Sequence, residues 1–220
     1  MFGSKNLISL SIFLIVFISC VGSTNSKKIK AGVIDYSIEW QSNKSSVLPH
    51  NMRLLYSETG YCVEFGKIMS FIGTRFSYKF KSDSLNFMLD LGSVGTYAKF
   101  PSKNISLKKN KFKVKKLSER KTIMNHECKA VKYTSLKGDL VLNLYYSEKL
   151  NIDVVNRMLP SIKTKGAVLG IEIISKKERV YIHANKISEQ NVDSDLFIVP
   201  DNYSKNSYKE ILSVLKGVVK

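Results

Sequence analysis

Apolar and polar residues alternate with a period of two along most of this chain. Ile34, Tyr36, Ile38 and Trp40 are separated by Asp35, Ser37 and Glu39, which predicts a strand with one apolar and one wet face. Met52–Tyr56 and Tyr61–Phe65, joined by Glu58-Thr59-Gly60, read as a hairpin. Phe76, Tyr78 and Phe80 alternate with Ser77, Lys79 and Lys81, and Leu85, Phe87 and Leu89 resume the pattern after Ser82-Asp83-Ser84. Thr96–Phe100 is one more short strand, ended by Pro101. Residues 122–146 read as two strands around a Lys137-Gly138-Asp139 turn, with Leu140, Leu142, Leu144 and Tyr146 on one face. Residues 151–158 suit a short helical turn stopped by Pro160. Ala167–Ile174 and Arg179–Ile187 are again strand-like, and Leu196–Val199 is a short apolar run before Pro200.

The period changes at the end of the chain. Tyr208, Ile211, Leu212, Leu215 and Val219 recur at helical spacing, and Ser207-x-x-Glu210 forms a capping box before them. Roughly nine to eleven strands, one amphipathic helix and no βαβ alternation predict a mainly β (α+β) fold. The expected architecture is a curved antiparallel sheet or half-open β-barrel with the C-terminal helix packed on it.

At 220 residues the chain suits a single domain, once the first residues are set aside. Lys5 precedes Leu7–Ile18, an apolar run too short to span a bilayer comfortably and about right for a signal-peptide core. Ser19-Cys20 directly behind it resembles the lipobox of bacterial lipoproteins, in which the Cys carries a diacylglycerol; Phe17 stands where Leu is usual. The division read here is 1–19 signal peptide, 20–28 lipidated Cys20 and flexible tether, and 29–220 one β-rich domain. Ordinary cleavage near Gly22-Ser23, with Cys20 discarded and a secreted soluble product, is the alternative. Export places Cys62 and Cys128 in an oxidising compartment, where they form either a disulfide or two buried thiols.

Charge narrows the partners. The formal net charge is +17, and loss of 1–19 removes one Lys and no acid. Such an excess attracts anionic surfaces. Arg is scarce and no aromatic-interleaved RNA-binding signature occurs, so nucleic acid is not an expected partner; an exported chain meets phospholipid head groups instead. Lys109, Lys111, Lys113 and Lys115 fall on one side of a strand-like segment, with Phe112 and Val114 on the other. They read as a solvated edge strand or as a contact for an anionic membrane surface.

Catalytic signals are missing. No Gly-x-Ser-x-Gly, Walker-type or His-Glu-x-x-His motif is present, and the carboxylates are scattered. His50, His126 and His183 are isolated in sequence; His126 and Cys128 share a strand face, but four ligands at zinc spacing are lacking. No enzyme activity, metal or cofactor is expected. Asn43, Asn104 and Asn202 sit in Asn-x-Ser sequons, which matter only in a eukaryotic host.

Three segments in order carry a resemblance. Gly32-x-Ile34-x-Tyr36, the stretch Lys121–Ala130 and the stretch Asp195–Tyr203 resemble the opening strand, the "Lys-x-Ile-x-Gly-Tyr-x-Cys-Lys" hairpin and the "Phe-x-x-Pro-x-Gly-Tyr" ending of a family of exported proteins of Gram-negative bacteria. Asn125, His126 and Asn202 depart from the pattern, standing for Gly, an aromatic residue and Gly; Tyr145 and Tyr146 stand where a Trp-containing strand is common. The resemblance implies a fold like the outer-membrane lipoprotein carriers (LolA-like), a half-open barrel around helices with an apolar interior, and no established activity. It implies an outer-membrane or periplasmic location. On that fold Trp40, Phe76, Tyr78, Phe80, Phe87, Leu142 and Leu144 line a concave surface, as a packed core or as a cavity for a lipid or lipidated protein. A structural envelope protein that docks a partner through its sheet face or Lys-rich edge is the competing reading.

Overall fold

The computed structural model describes residues 27–28, 30–41, 48–68, 71–82, 84–101, 112–152, 166–176 and 178–218. The signal peptide, Cys20, Lys109, Lys111, the helical turn before Pro160 and the sequons at Asn43 and Asn104 lie outside them.

The alternation produces strands where it is strongest. β1 (Lys27–Lys28) is followed by β2 (Gly32–Trp40), β3 (Asn51–Tyr56), β4 (Gly60–Ile68), β5 (Ile72–Lys79), β6 (Ser84–Asp90) and β7 (Gly95–Pro101). Then come β8 (Phe112–Ile123), β9 (His126–Ser135), β10 (Leu140–Ser147), β11 (Leu150–Asn151), β12 (Ala167–Ser175) and β13 (Arg179–Glu189). A 3-10 turn at Ser194–Phe197, β14 (Tyr203–Lys205) and α1 (Tyr208–Val218) follow.

Twelve strands form one sheet in the order β14-β7-β6-β5-β4-β3-β2-β13-β12-β10-β9-β8, and β1 pairs separately with β11. The order is two antiparallel meanders joined where β13 runs beside β2. Within this sheet only β14 with β7 is parallel. Register shifts at Phe65/Ile68, Leu117/Arg120, Tyr145/Tyr146 and Ala184/Lys186 break the ladders, and such bulges bend and twist a sheet. The result is the expected open, curved sheet, with more strands than the alternation alone marked out.

Residues 122–135 are not one strand. Met124 and Asn125 have φ of 51° and 62°, the left-handed pair of a type I′ turn, and they end β8 and start β9. The expected second turn does form, with Gly138 at φ 67° in the left-handed region. The apolar alternation conceals the first turn because Met124 continues it, whereas the likeness of Lys121–Ala130 to a hairpin is met there.

At the helix the expected capping box forms, while the Leu212 side chain and Val219 lie outside what is described. The Ser207 backbone N–H donates to Glu210 Oε2 at 2.7 Å, and the Glu210 N–H donates to Ser207 Oγ at 3.3 Å. Ile211 and Leu215 are thereby turned onto the sheet and buried.

Candidate functional site

Directly paired residues on neighbouring strands share a face, so the register sorts the side chains. One row crosses the sheet as Leu142, Ile173, Val180 and Trp40, and the next as Leu144, Ile171, Ile182 and Ile38. In the other meander Ile34, Leu54, Val63, Phe76 and Phe87 form a row on the same face. Ile211 and Leu215 of α1 join the apolar cluster built on it, and Tyr208 packs against Phe100 and Phe87. All seven residues expected on a concave surface belong to this cluster.

They differ in exposure. Leu142 and Leu144 are 0% exposed, Phe87 1% and Phe76 8%, so the middle of the face is closed to water. Trp40, Tyr78 and Phe80 are only partly buried. Trp40 lies at one end of the strands, where its Nε1–H donates to the Pro49 carbonyl at 2.8 Å. Tyr78 and Phe80 lie at the other, with Tyr61: the ring centroids are 5.6, 6.3 and 5.9 Å apart. Phe76 stacks on Phe87 at 4.5 Å and meets Phe65 edge-on at 6.0 Å. Tyr61, Phe65, Phe100 and Tyr208 thus extend the aromatic lining beyond the residues singled out from sequence. Period-two spacing was the signal for the first three.

Polar groups on this face are few, and the buried Tyr56 hydroxyl has no hydrogen-bond partner. Tyr36 Oη donates to the Val168 carbonyl at 3.0 Å, joining β2 to β12 across the face. Burial, reinforced by Glu189, pushes the Tyr56 phenol up, so it stays neutral.

The opposite face carries a polar network that the sequence did not announce. Glu172 is buried, accepts from Asn143 Nδ2 at 2.6 Å and from Arg179 Nε at 2.8 Å, and pairs with the Arg179 guanidinium. Burial works to raise the Glu172 pKa; the hydrogen bonds from Asn143 and Arg179 and the charges of Arg179 and Lys121 outweigh it and hold the carboxyl below its ordinary range. Lys121 Nζ lies 4.3 Å from the Tyr145 ring centroid and 5.1 Å from that of Tyr181, a cation–π contact on each. Tyr145 Oη donates to Glu119 Oε1 at 3.4 Å; burial, then the carboxylates of Glu119 and Glu172, push its pKa up to about 12. Gly170 leaves room for Ile123, whose Cδ1 would lie 2.7 Å from an added Cβ. These contacts fasten β8 across β10, β12 and β13. Their roles are filled within the chain.

The cysteines are two free, buried thiols rather than a disulfide. Cys62 packs with Val33, Leu55 and Phe197, whereas Cys128 belongs to the main cluster. Five strands separate β4 from β9 in the sheet order, and a disulfide needs Cα atoms within about 7 Å. Burial pushes both thiols up, that of Cys128 to about 11.

Lys113 and Lys115 are exposed on β8, which is an edge strand of the sheet. Val114 is exposed as well, so this part of β8 does not present the apolar reverse side expected of it. His183 stacks on Tyr181 at 5.3 Å, with Nδ1 3.6 Å from Glu39 Oε1. Among the described residues no three His, Cys, Asp or Glu side chains are grouped to hold a metal ion. No helix among them is long and apolar enough to cross a membrane.

Sheet, helix and lining together define a class: an open, curved antiparallel sheet with one continuous apolar face and a short helix on it. No protein-family model and no curated protein matches the sequence. Among solved structures the chain is similar to PNGF-II, with a TM-score of 0.51 and 13% identity over 86% of this chain. It spans only 32% of the PNGF-II chain, so the likeness is one of fold. It is also similar to a putative outer membrane lipoprotein-sorting protein domain from Vibrio parahaemolyticus (TM-score 0.37, 10% identity, 85% of this chain and 93% of that one). The Mycobacterium tuberculosis lipoprotein LppX gives a TM-score of 0.39 and 8% identity over 88% of this chain and 100% of its own.

Proposed function

We propose that the chain is a non-catalytic lipoprotein of the cell envelope that holds an acyl chain, or a lipidated partner, on the helix-bearing face of its sheet. The observation that carries this reading is a face that is apolar and buried from Leu142 to Phe87 and keeps aromatic rings only partly buried at its ends, Trp40 at one and Tyr78 and Phe80 at the other. The partly exposed rings of Tyr78 and Phe80 offer an apolar entry to the face, while its centre is packed. The N-terminal apolar run and Cys20 support export and anchoring.

Trp40, the single Trp of the chain, lies on this face and serves as the probe. Titration with a brominated fatty acid is expected to quench it saturably, and native mass spectrometry of the purified protein to show a co-purified acyl chain. An unquenched Trp40 together with a ligand-free mass would overturn the reading. It would leave docking through the β8 edge, where Lys113, Lys115 and Lys116 are exposed, as the better account.

A further inference from the structure

One row of the helix-bearing face is built largely from tyrosines. Glu189, Gly32, Tyr56, Tyr61 and Tyr78 are direct partners across β13, β2, β3, β4 and β5. Gly32, Tyr56, Tyr61 and Tyr78 stand two residues from Ile34, Leu54, Val63 and Phe76, so they project from the same face as that apolar row. The tyrosine row lies at the end of the strands where Tyr78 and Phe80 are only partly buried. Gly32 leaves a gap in its layer of side chains. A Cβ added there would lie 3.0 Å from Tyr56 Oη, so the phenol reaches over Gly32 and its hydroxyl stands at the gap.

That hydroxyl is closed off from water and has no acceptor. The Ser188 carbonyl lies beside the same position and Glu189 pairs with Gly32, yet neither accepts from it. Tyr36, on the same face, shows the other arrangement, since its Oη donates to the Val168 carbonyl at 3.0 Å. A buried donor without an acceptor costs stability, and Phe at position 56 would keep the packing of the ring without that cost. The Tyr56 hydroxyl therefore does nothing for the chain by itself. It is a donor held for an acceptor that arrives from outside.

Charge narrows the acceptor. Burial and the Glu189 carboxylate keep the phenol un-ionised, so it offers a proton. The same carboxylate opposes a second negative charge brought to the gap, whereas a neutral carbonyl meets no such opposition. Position narrows the rest of the ligand. Tyr56 is two strand spacings, about 10 Å, from Tyr78 at the entry to the face. Along β2 the gap at Gly32 is about 27 Å from Trp40, with Ile34, Tyr36 and Ile38 buried between them.

We infer that Tyr56 Oη receives the neutral carbonyl of an acyl ester at the Gly32 end of the face, with the acyl chain directed along the strands toward Trp40. The inference rests on the acyl-chain reading above and adds to it the class of ligand, an ester in preference to a free acid, and its direction.

The test titrates the full-length parent and Tyr56→Phe with two tail-brominated probes of equal length, a fatty acyl methyl ester and a bromoalkane lacking the carbonyl, and reads Trp40 quenching. The preference for ester over alkane, taken within each protein so that the water solubility of the probes cancels, is expected to be about fivefold greater in the parent, the worth of one neutral hydrogen bond. The matching tail-brominated acid at pH 8 is expected to bind the parent more weakly than the ester. An ester brominated beside its carbonyl is expected to displace the tail-brominated one and restore Trp40 emission. Urea unfolding without probe is expected to give Tyr56→Phe a midpoint at or above that of the parent. A lower midpoint would mean that the hydroxyl is already bonded within the folded chain, and would overturn the inference. An equal ester preference in the two proteins would overturn it as well and leave the acyl-chain reading standing, whereas quenching by none of the probes would remove both.

Discussion

Leu144→Ala measures whether the centre of the apolar face is filled. Leu144 has no exposed surface and faces Val131 on β9 and Ile171 on β12, both buried. Truncation removes three carbons, about 2.4 kcal/mol at roughly 0.8 kcal/mol per buried methylene. A ladder held on both sides cannot collapse fully into the space, so the cavity raises the loss to about 3–4 kcal/mol. In a domain of this size that lowers Tm by roughly 6–15 °C. The assay is urea unfolding followed by Trp40 fluorescence, with far-UV circular dichroism as a coincident second probe. Leu136→Ala, at an exposed turn, is the control and should stay within about 0.5 kcal/mol of the parent. A Leu144→Ala loss below about 1 kcal/mol, or one equal to the control, would refute the reasoning, because it would mean the face is not tightly packed around position 144.

Two further outcomes follow from named contacts. The Glu172 carboxyl is held below its ordinary range in the folded chain, so its contribution to stability is complete above the unfolded glutamate pKa and lost as pH falls through the folded one. Urea unfolding of Glu172→Gln is therefore expected to show a shallower decline than the parent below about pH 4.5; parallel declines would remove Glu172 from the account. Ser207→Ala breaks half of the α1 capping box and should cost about 1 kcal/mol in the same assay, with no loss counting against the cap.

Strand existence was legible wherever one face is buried and the other wet, because the pleat converts that difference into a period of two. It served for Ile34–Trp40 and for Phe76–Phe80. It failed at 122–135, since Met124 sits where an inward residue would sit while Met124 and Asn125 adopt the left-handed backbone that reverses the chain. It was silent on Tyr203–Lys205, too short for a period to register. The seven proposed lining residues fell on one apolar cluster because alternation preserves facing along a strand. Their very different exposures were not legible, since exposure depends on which row of the sheet a residue occupies. The Glu172–Arg179 pair was hidden for a related reason: the two flank a turn, and only the β12–β13 register brings them together.

Period and punctuation alone determined that this chain makes a mainly β fold with a capped C-terminal helix, because both signals act over a few residues. Only the tertiary structure decided that the two meanders join at β2 and β13 and that Cys62 and Cys128 are kept apart. Those outcomes depend on strand order and register, which are settled by contacts between residues far apart in the chain and leave no periodic mark within any one segment.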